Sequence, residues 1–133
     1  MKPHTPENWD AASAHYDANI TDWTANFADA ALEAAQMGSD SNVLEVAAGG
    51  GALTLKLAPR CARLLAVDYS PGMLDQLRPK LDANGYGNVK LAQMNGMALD
   101  LEHEEFDNVF SQFGVMLFDD PQKGLSELCR VLK

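Results

Sequence analysis

The chain has 133 residues, 47% of them hydrophobic, and a formal charge of −9 at pH 7, which is enough apolar material for one globular domain with a real core. That acidic balance argues against nucleic acid and against anionic membrane as partners, since both need clustered Lys and Arg. No apolar run reaches the roughly 18–20 residues of a bilayer span, and the start, Met1-Lys2-Pro3-His4, has no signal-peptide core. Cys61 and Cys129 lack metal or redox spacing, so the expectation is a cytoplasmic protein with two free thiols and no bound metal.

From about 8 to 37, Ala12, Tyr16, Ile20, Trp23, Phe27, Ala31 and Ala34 recur at three- and four-residue steps, the spacing of a helix face. The pattern predicts a helical segment over 1–38, with a break near 19–21 where Thr21 caps a second helix ending at Gly38. Trp9 and Trp23 read as core packing. A polar loop, Gly38-Ser39-Asp40-Ser41-Asn42, then leads into an α/β core over 42–133.

Val43-Leu44-Glu45-Val46 is a run of strand formers that stops at Ala47-Ala48-Gly49-Gly50-Gly51, and a short helix over 52–58 follows, stopped by Pro59. A strand, a glycine turn and a helix bring backbone N–H groups close to a small ligand, because no Cβ stands in the way. Leu64-Leu65-Ala66-Val67 is a second strand without charge, as a parallel strand covered on both faces requires. It ends at Asp68, where a carboxylate beside the glycine turn can accept both hydroxyl protons of a ribose. Ser70 then caps, and Pro71 opens, a helix to about 83 that buries Leu74, Leu77 and Leu81 and ends at Asn84-Gly85. Pro79 is expected to kink or shorten it.

Two of these stretches resemble class I, Rossmann-like S-adenosylmethionine-dependent methyltransferases of the small-molecule type. Glu45 to Gly51 is similar to the family's acidic-x-Gly-x-Gly-x-Gly motif, with Ala47 in place of the first glycine. Asp68-Tyr69-Ser70-Pro71-Gly72-Met73-Leu74 is similar to its Asp-x-Ser-Pro-x-Met-Leu segment. Ala14-His15-Tyr16-Asp17 resembles the family's Ala-x-x-Tyr-Asp, in which the tyrosine lies near the cofactor's methionine end. The resemblance implies an S-adenosylmethionine site in which Tyr16, Glu45, Ala47, Gly49 and Gly51 shape the methionine end and Asp68 binds the ribose. Tyr69, Met73, Asn95, Gly96 and Met97 would surround the adenine.

Val89 to Met94 forms the third strand. Asn95-Gly96-Met97-Ala98-Leu99 follows, with Asn95 where the family has an acid that accepts from the adenine amino group; the Asn95 carbonyl oxygen can do the same. Asp100 to Glu105 is a polar loop, and Phe106 to Phe113 the fourth strand, similar to the family's Phe-Asp-x-Val. By the rule for open α/β sheets, the C-terminal end of that strand, Gln112 included, faces the crevice. Asp120 caps a last helix whose Leu125, Leu128, Cys129 and Leu132 form its buried stripe, with Cys129 a core thiol.

The fold class is therefore α/β, an open parallel sheet in the order 3-2-1-4 with helices on both faces. It is truncated relative to the family's seven-stranded sheet. The fourth strand is then an edge, and a homodimer through it and the last helix is expected. The resemblance implies methyl transfer, an in-line displacement at a sulfonium-activated carbon in which the protein aligns the acceptor and excludes water. The acceptor is a small molecule. No residue reads as a general base except His15, for which helix packing is the plainer role. A second reading is a cofactor-binding or dimeric interaction module without turnover. A third, a nicotinamide oxidoreductase, lacks a glycine where Thr54 stands.

Overall fold

In the computed structural model, which describes residues 4–133, four strands form one parallel sheet in the order β3-β2-β1-β4. The strands are β1 (Asn42–Val46), β2 (Arg63–Asp68), β3 (Val89–Gln93) and β4 (Asn108–Phe110). Order and direction are those expected. The start of the chain, Met1 to Pro3, lies outside the described residues. No helix among the described residues is long and apolar enough to cross a membrane.

β1 is one of the two inner strands. Val43 pairs with Leu64 of β2 and with Asn108 of β4, and the register runs on through Leu44 and Glu45. Successive side chains alternate between faces. Val43 joins Leu32, Leu53, Leu57 and Leu64 on one side, while Leu44 and Val46 join Val67, Leu99, Phe106 and Val131 on the other. Each of the fully buried aliphatic chains contributes roughly 1.5–3 kcal/mol of transfer free energy. Glu45 shares the parity of Val43, which places a carboxyl inside an apolar layer.

Helix α1 (Pro6–Tyr16) begins two residues earlier than expected, because Thr5 caps it and Pro6 needs no hydrogen-bond acceptor for its nitrogen. The predicted break after it takes a different form. A π-helical turn spans Asp17–Thr21 and runs straight into α2 (Asp22–Ala25), followed by α3 (Ala28–Ala35). Thr21 keeps helical angles and makes no capping bond; its side chain turns inward instead. The glycine turn leads into α4 (Thr54–Leu57) and a 3₁₀ turn through Pro59.

Helix α5 (Pro71–Asn84) is capped by the Ser70 hydroxyl, which accepts from the Met73 amide at 3.1 Å, and ends at Gly85 with φ 68°. It passes through Pro79 without stopping, so the expected shortening does not occur. The fourth strand is shorter than predicted. Its ladder with β1 covers only Asn108–Phe110, while Phe106 forms a separate parallel bridge to Leu132. Beyond Phe110 the chain leaves the sheet, and Phe113 takes φ 59°.

Helix α6 (Pro121–Val131) has Asp120 as its cap, its carboxylate accepting from the Lys123 amide. Its buried face differs from the one expected. Val131 is fully buried and Leu128 packs against the core, whereas Leu125 is 55% exposed and Cys129 lies at the surface. Cys129 is therefore no core thiol. Trp23 is 61% exposed and likewise outside the core.

Candidate functional site

The C-terminal ends of all four strands open onto one crevice, where an open parallel sheet collects its ligands. It holds about 750 Å³ of free space, mouth included. The residues it brings together include Tyr16, Ala47, Gly49, Asp68, Tyr69, Met73, Asn95, Gly96, Met97 and Gln112. Glu45 and Gly51, the other two predicted site residues, do not line it.

Asp68 ends β2 with its carboxylate buried and held on both oxygens. Oδ2 accepts from the Gly49 amide at 2.8 Å and Oδ1 from the Ser70 amide at 2.9 Å. Burial raises its pKa above the usual carboxylate value, while those amide bonds pull the other way. The Tyr69 amide adds to this backbone hold, and Asp68 forms part of the crevice wall. Next to it, Asp10 of α1 accepts from the Ser70 hydroxyl at 2.5 Å and from the Gly72 amide at 2.8 Å. Asp10 thereby ties α1 to the start of α5.

The glycine turn is built by three different demands. Gly49 and Gly51 hold φ of 55° and 96°, where a side chain is strained. Gly51 faces Leu77 of α5, whose Cδ1 would lie 2.4 Å from an added Cβ. It is a packing position and shapes the crevice only through the turn. Ala47 also sits in the left-handed region, at φ 61°, where the motif it resembles has glycine.

Behind the turn a small polar cavity is lined by Tyr16, Thr21, Thr24, Glu45, Gln112 and the turn itself. Tyr16, Ala47, Gly49 and Gln112 line both spaces, so the cavity adjoins the crevice. Glu45 is 2% exposed, accepts from the Thr54 hydroxyl at 2.5 Å, and is pushed by burial to a pKa of about 8. Burial thus favours its neutral form. Gln112 donates from Nε2 to the Thr24 carbonyl at 2.7 Å, but its Oε1 and the Thr21 hydroxyl are buried without a partner. Buried orphans of this kind mark a place where a ligand or water supplies the missing bonds.

At the far wall, the Asn95 carbonyl oxygen accepts from the Met97 amide at 2.9 Å, closing the turn after β3. One of its two lone pairs is thus already used, which restricts the role expected for it. Gly96 allows the Phe118 ring to approach, since an added Cβ would meet that ring at 2.5 Å.

Several lining residues were not expected. Trp9 belongs to the crevice and not to the core, stacked with His4 at 5.7 Å and edge-on to Tyr16 at 5.8 Å between ring centroids. The signal for it was present, because Trp9 and Tyr16 lie seven residues apart and so share one helix face. Gly114, Leu117 and Phe118 line it from the segment after β4, beside Phe113, which was expected there as the end of the fourth strand. His15 does not: it is exposed, and its carbonyl accepts from Asn19 of the π-helical turn. Among the described residues no group of His, Cys, Asp or Glu could hold a metal ion.

Comparison with known proteins accords with this geometry. A family model described as a methyltransferase domain matches residues 43–133. The demethylmenaquinone methyltransferase of Thermus thermophilus is 36% identical over 112 residues, covering 83% of this chain and 49% of that protein. The phosphatidylethanolamine N-methyltransferase of Cereibacter sphaeroides is 37% identical over 92 residues, covering 68% of this chain and 45% of its own length. Among solved structures, Haemonchus contortus phosphoethanolamine N-methyltransferase 1, in complex with phosphoethanolamine and S-adenosylhomocysteine, superposes with a TM-score of 0.78 at 17% identity. That match covers 96% of this chain and 30% of the other. The chain thus spans half or less of the length of these relatives. By its family match and its 3-2-1-4 sheet, it belongs to the class I, Rossmann-like methyltransferase-domain family.

Proposed function

We propose that this chain is the S-adenosylmethionine-binding portion of a methyltransferase that acts on a small-molecule acceptor. The observation that carries the reading is Asp68, a carboxylate fixed by backbone amides where it lines the base of the crevice. A ribose diol has the two donors such a carboxylate takes. The residues on either side suit the two ends of the same cofactor. An α-ammonium supplies N–H donors for the orphaned Gln112 Oε1 and Thr21 hydroxyl, with the Glu45 carboxyl beside them. Adenine is a flat ring suited to Met73, Met97 and Tyr69.

The bound cofactor would supply an activated methyl group. The chain's own residues bind and orient it, and the aromatic row of Trp9 and Tyr16 excludes water from one side. The small-molecule acceptor is supported by the charge of −9 and by the acceptors that the relatives' names indicate, a demethylmenaquinone and a phosphatidylethanolamine. Nucleic acid fits neither.

Calorimetric titration with S-adenosylhomocysteine tests the cofactor. Micromolar binding is expected of the parent chain, reduced about a hundred-fold or more in Asp68→Ala, which removes charge-assisted bonds to two hydroxyls. Equal binding by the two proteins would refute the assignment of Asp68. Transfer of a labelled methyl group to a panel of quinone and amine acceptors then tests turnover.

A further inference from the structure

Gly50 is the one residue of the triple-glycine turn that neither holds a positive φ nor lines the main crevice. A different contact favours glycine there, since any Cβ would displace the side chains that pack on it. An added Cβ would lie 2.0 Å from Asp17 Oδ1 and 2.7 Å from the Thr21 hydroxyl, both closer than atoms can approach. The π-helical turn rests directly on the glycine turn. Across the same contact, the Lys80 ammonium of α5 donates to Asp17 Oδ1 at 2.5 Å and to the Gly50 carbonyl at 2.8 Å.

Three segments distant in sequence therefore meet at one ammonium group. Lys80 and Asp17 are 29% and 17% exposed, so water screens the pair less than an open surface ion pair. The Gly50 carbonyl adds a second acceptor that a freely solvated lysine would not keep. π-Helical turns insert one residue into a helical register and recur at functional sites. Here the turn begins immediately after Tyr16, a crevice residue, so that Tyr16 faces the ligand space while Asp17 faces Lys80.

We propose that Lys80 is a positioning residue for the crevice, acting through Asp17 and the Gly50 carbonyl to fix the glycine turn against the segment that carries Tyr16. With Asp10 holding the middle of α1 to Ser70 and Gly72, the second anchor at Asp17 sets the wall formed by Trp9 and Tyr16. The effect on ligand affinity rests on the cofactor reading above. The effect on the fold of the wall does not.

The test compares the parent chain with Lys80→Met, Lys80→Arg and Asp17→Asn, in two measurements. The first is amide hydrogen exchange without ligand. Lys80→Met and Asp17→Asn should speed exchange over Trp9–Ala25 by roughly ten-fold, the size of one charge-assisted hydrogen bond, while β1 and β2 keep the parent's protection. The second is titration with S-adenosylhomocysteine, in which both variants should bind roughly ten-fold more weakly. Lys80→Arg, which keeps the charge and the donors, should stay within about three-fold of the parent.

Unchanged exchange over Trp9–Ala25 in Lys80→Met would overturn the proposal, as would a loss of protection spread equally through β1 and β2, which is the mark of general destabilisation. If the parent binds no S-adenosylhomocysteine, the cofactor reading fails, and the exchange comparison still decides for or against the anchor.

Discussion

Ala47 holds φ 61° at the exit of β1, with its Cβ directed at Gly114, whose own added Cβ would lie 2.4 Å away. An L-residue in the left-handed region costs about 1–2 kcal/mol relative to its favoured conformations, and glycine escapes most of that. Ala47→Gly should stabilise the chain by about 1 kcal/mol, after subtraction of glycine's greater freedom when unfolded. A melting point raised by roughly 2–6 °C would show it, and an unchanged one would mean that the turn is relaxed with alanine. Two residues earlier, Glu45 carries a different cost. Its folded pKa of about 8 lies above the ordinary 4.5 because burial disfavours the charged form. Below 4.5 the carboxyl is protonated whether or not the chain is folded. As pH rises from there to about 8 the unfolded chain ionises while the folded one keeps its proton, so the folded state loses stability across that window. Glu45→Gln keeps the shape and an acceptor for the Thr54 hydroxyl but cannot ionise. In urea melts at the two ends of the window, the parent should lose stability relative to the variant as pH rises. Parallel behaviour of the two proteins would show that Glu45 ionises freely in the fold.

Element by element, the parts legible in the sequence are those set by local chemistry. Two largely apolar strand runs, a glycine turn between them, the Ser70 cap and the Gly85 stop each act within a few residues, and each lies where the pattern puts it. What the pattern did not reveal depends on partners far along the chain. Thr21 looks like a cap, but Asp17 and Lys80 lie 63 residues apart, and their pairing goes with a widened turn where a break was expected. Trp9 has the same apolar signature whether it faces a core or a crevice, and only the position of α1 across α5 decides. Pro79 belongs with these cases. It lies on the exposed side of α5 and removes one backbone bond, yet the helix continues because Leu77 and Leu81 are buried on either side of it. A proline inside a helix costs about 3 kcal/mol, of which some 0.4–1 kcal/mol is recovered through a stiffer unfolded chain. Pro79→Ala should therefore add about 2 kcal/mol, seen as a higher urea midpoint at constant slope. No gain would indicate that the surrounding helix has already adapted to the missing bond.

For the whole molecule, the sheet order and the crevice followed from the motif order, but the outer surface did not. A stripe of Leu125, Leu128, Cys129 and Leu132 reads as buried in any sequence pattern, because the pattern records apolar side chains and not what covers them. In the structure the sheet covers Leu128, while Leu125 and Leu132 remain 55% and 38% exposed beside Cys129. Leu125 and Cys129 lie four residues apart on α6, hence on one face, and Leu132 follows as its extended C-cap. Next to them β4 is an edge strand of the sheet, and just before it Phe106 bridges to Leu132. An apolar helix face beside a sheet edge is a surface that associates. We propose that a second copy of the chain covers it, since a two-fold contact sets the same edge against itself and satisfies both at once. Light scattering at about tens of micromolar, a range in which a contact of this modest size would be populated, should give a dimeric mass for the 133-residue chain. Leu125→Lys should return it to a monomer with its crevice intact, because that side chain touches neither the glycine turn nor Asp68. A monomeric mass for the parent at that concentration would show that the exposed face and the strand edge are tolerated in water, and the proposed dimer would fall.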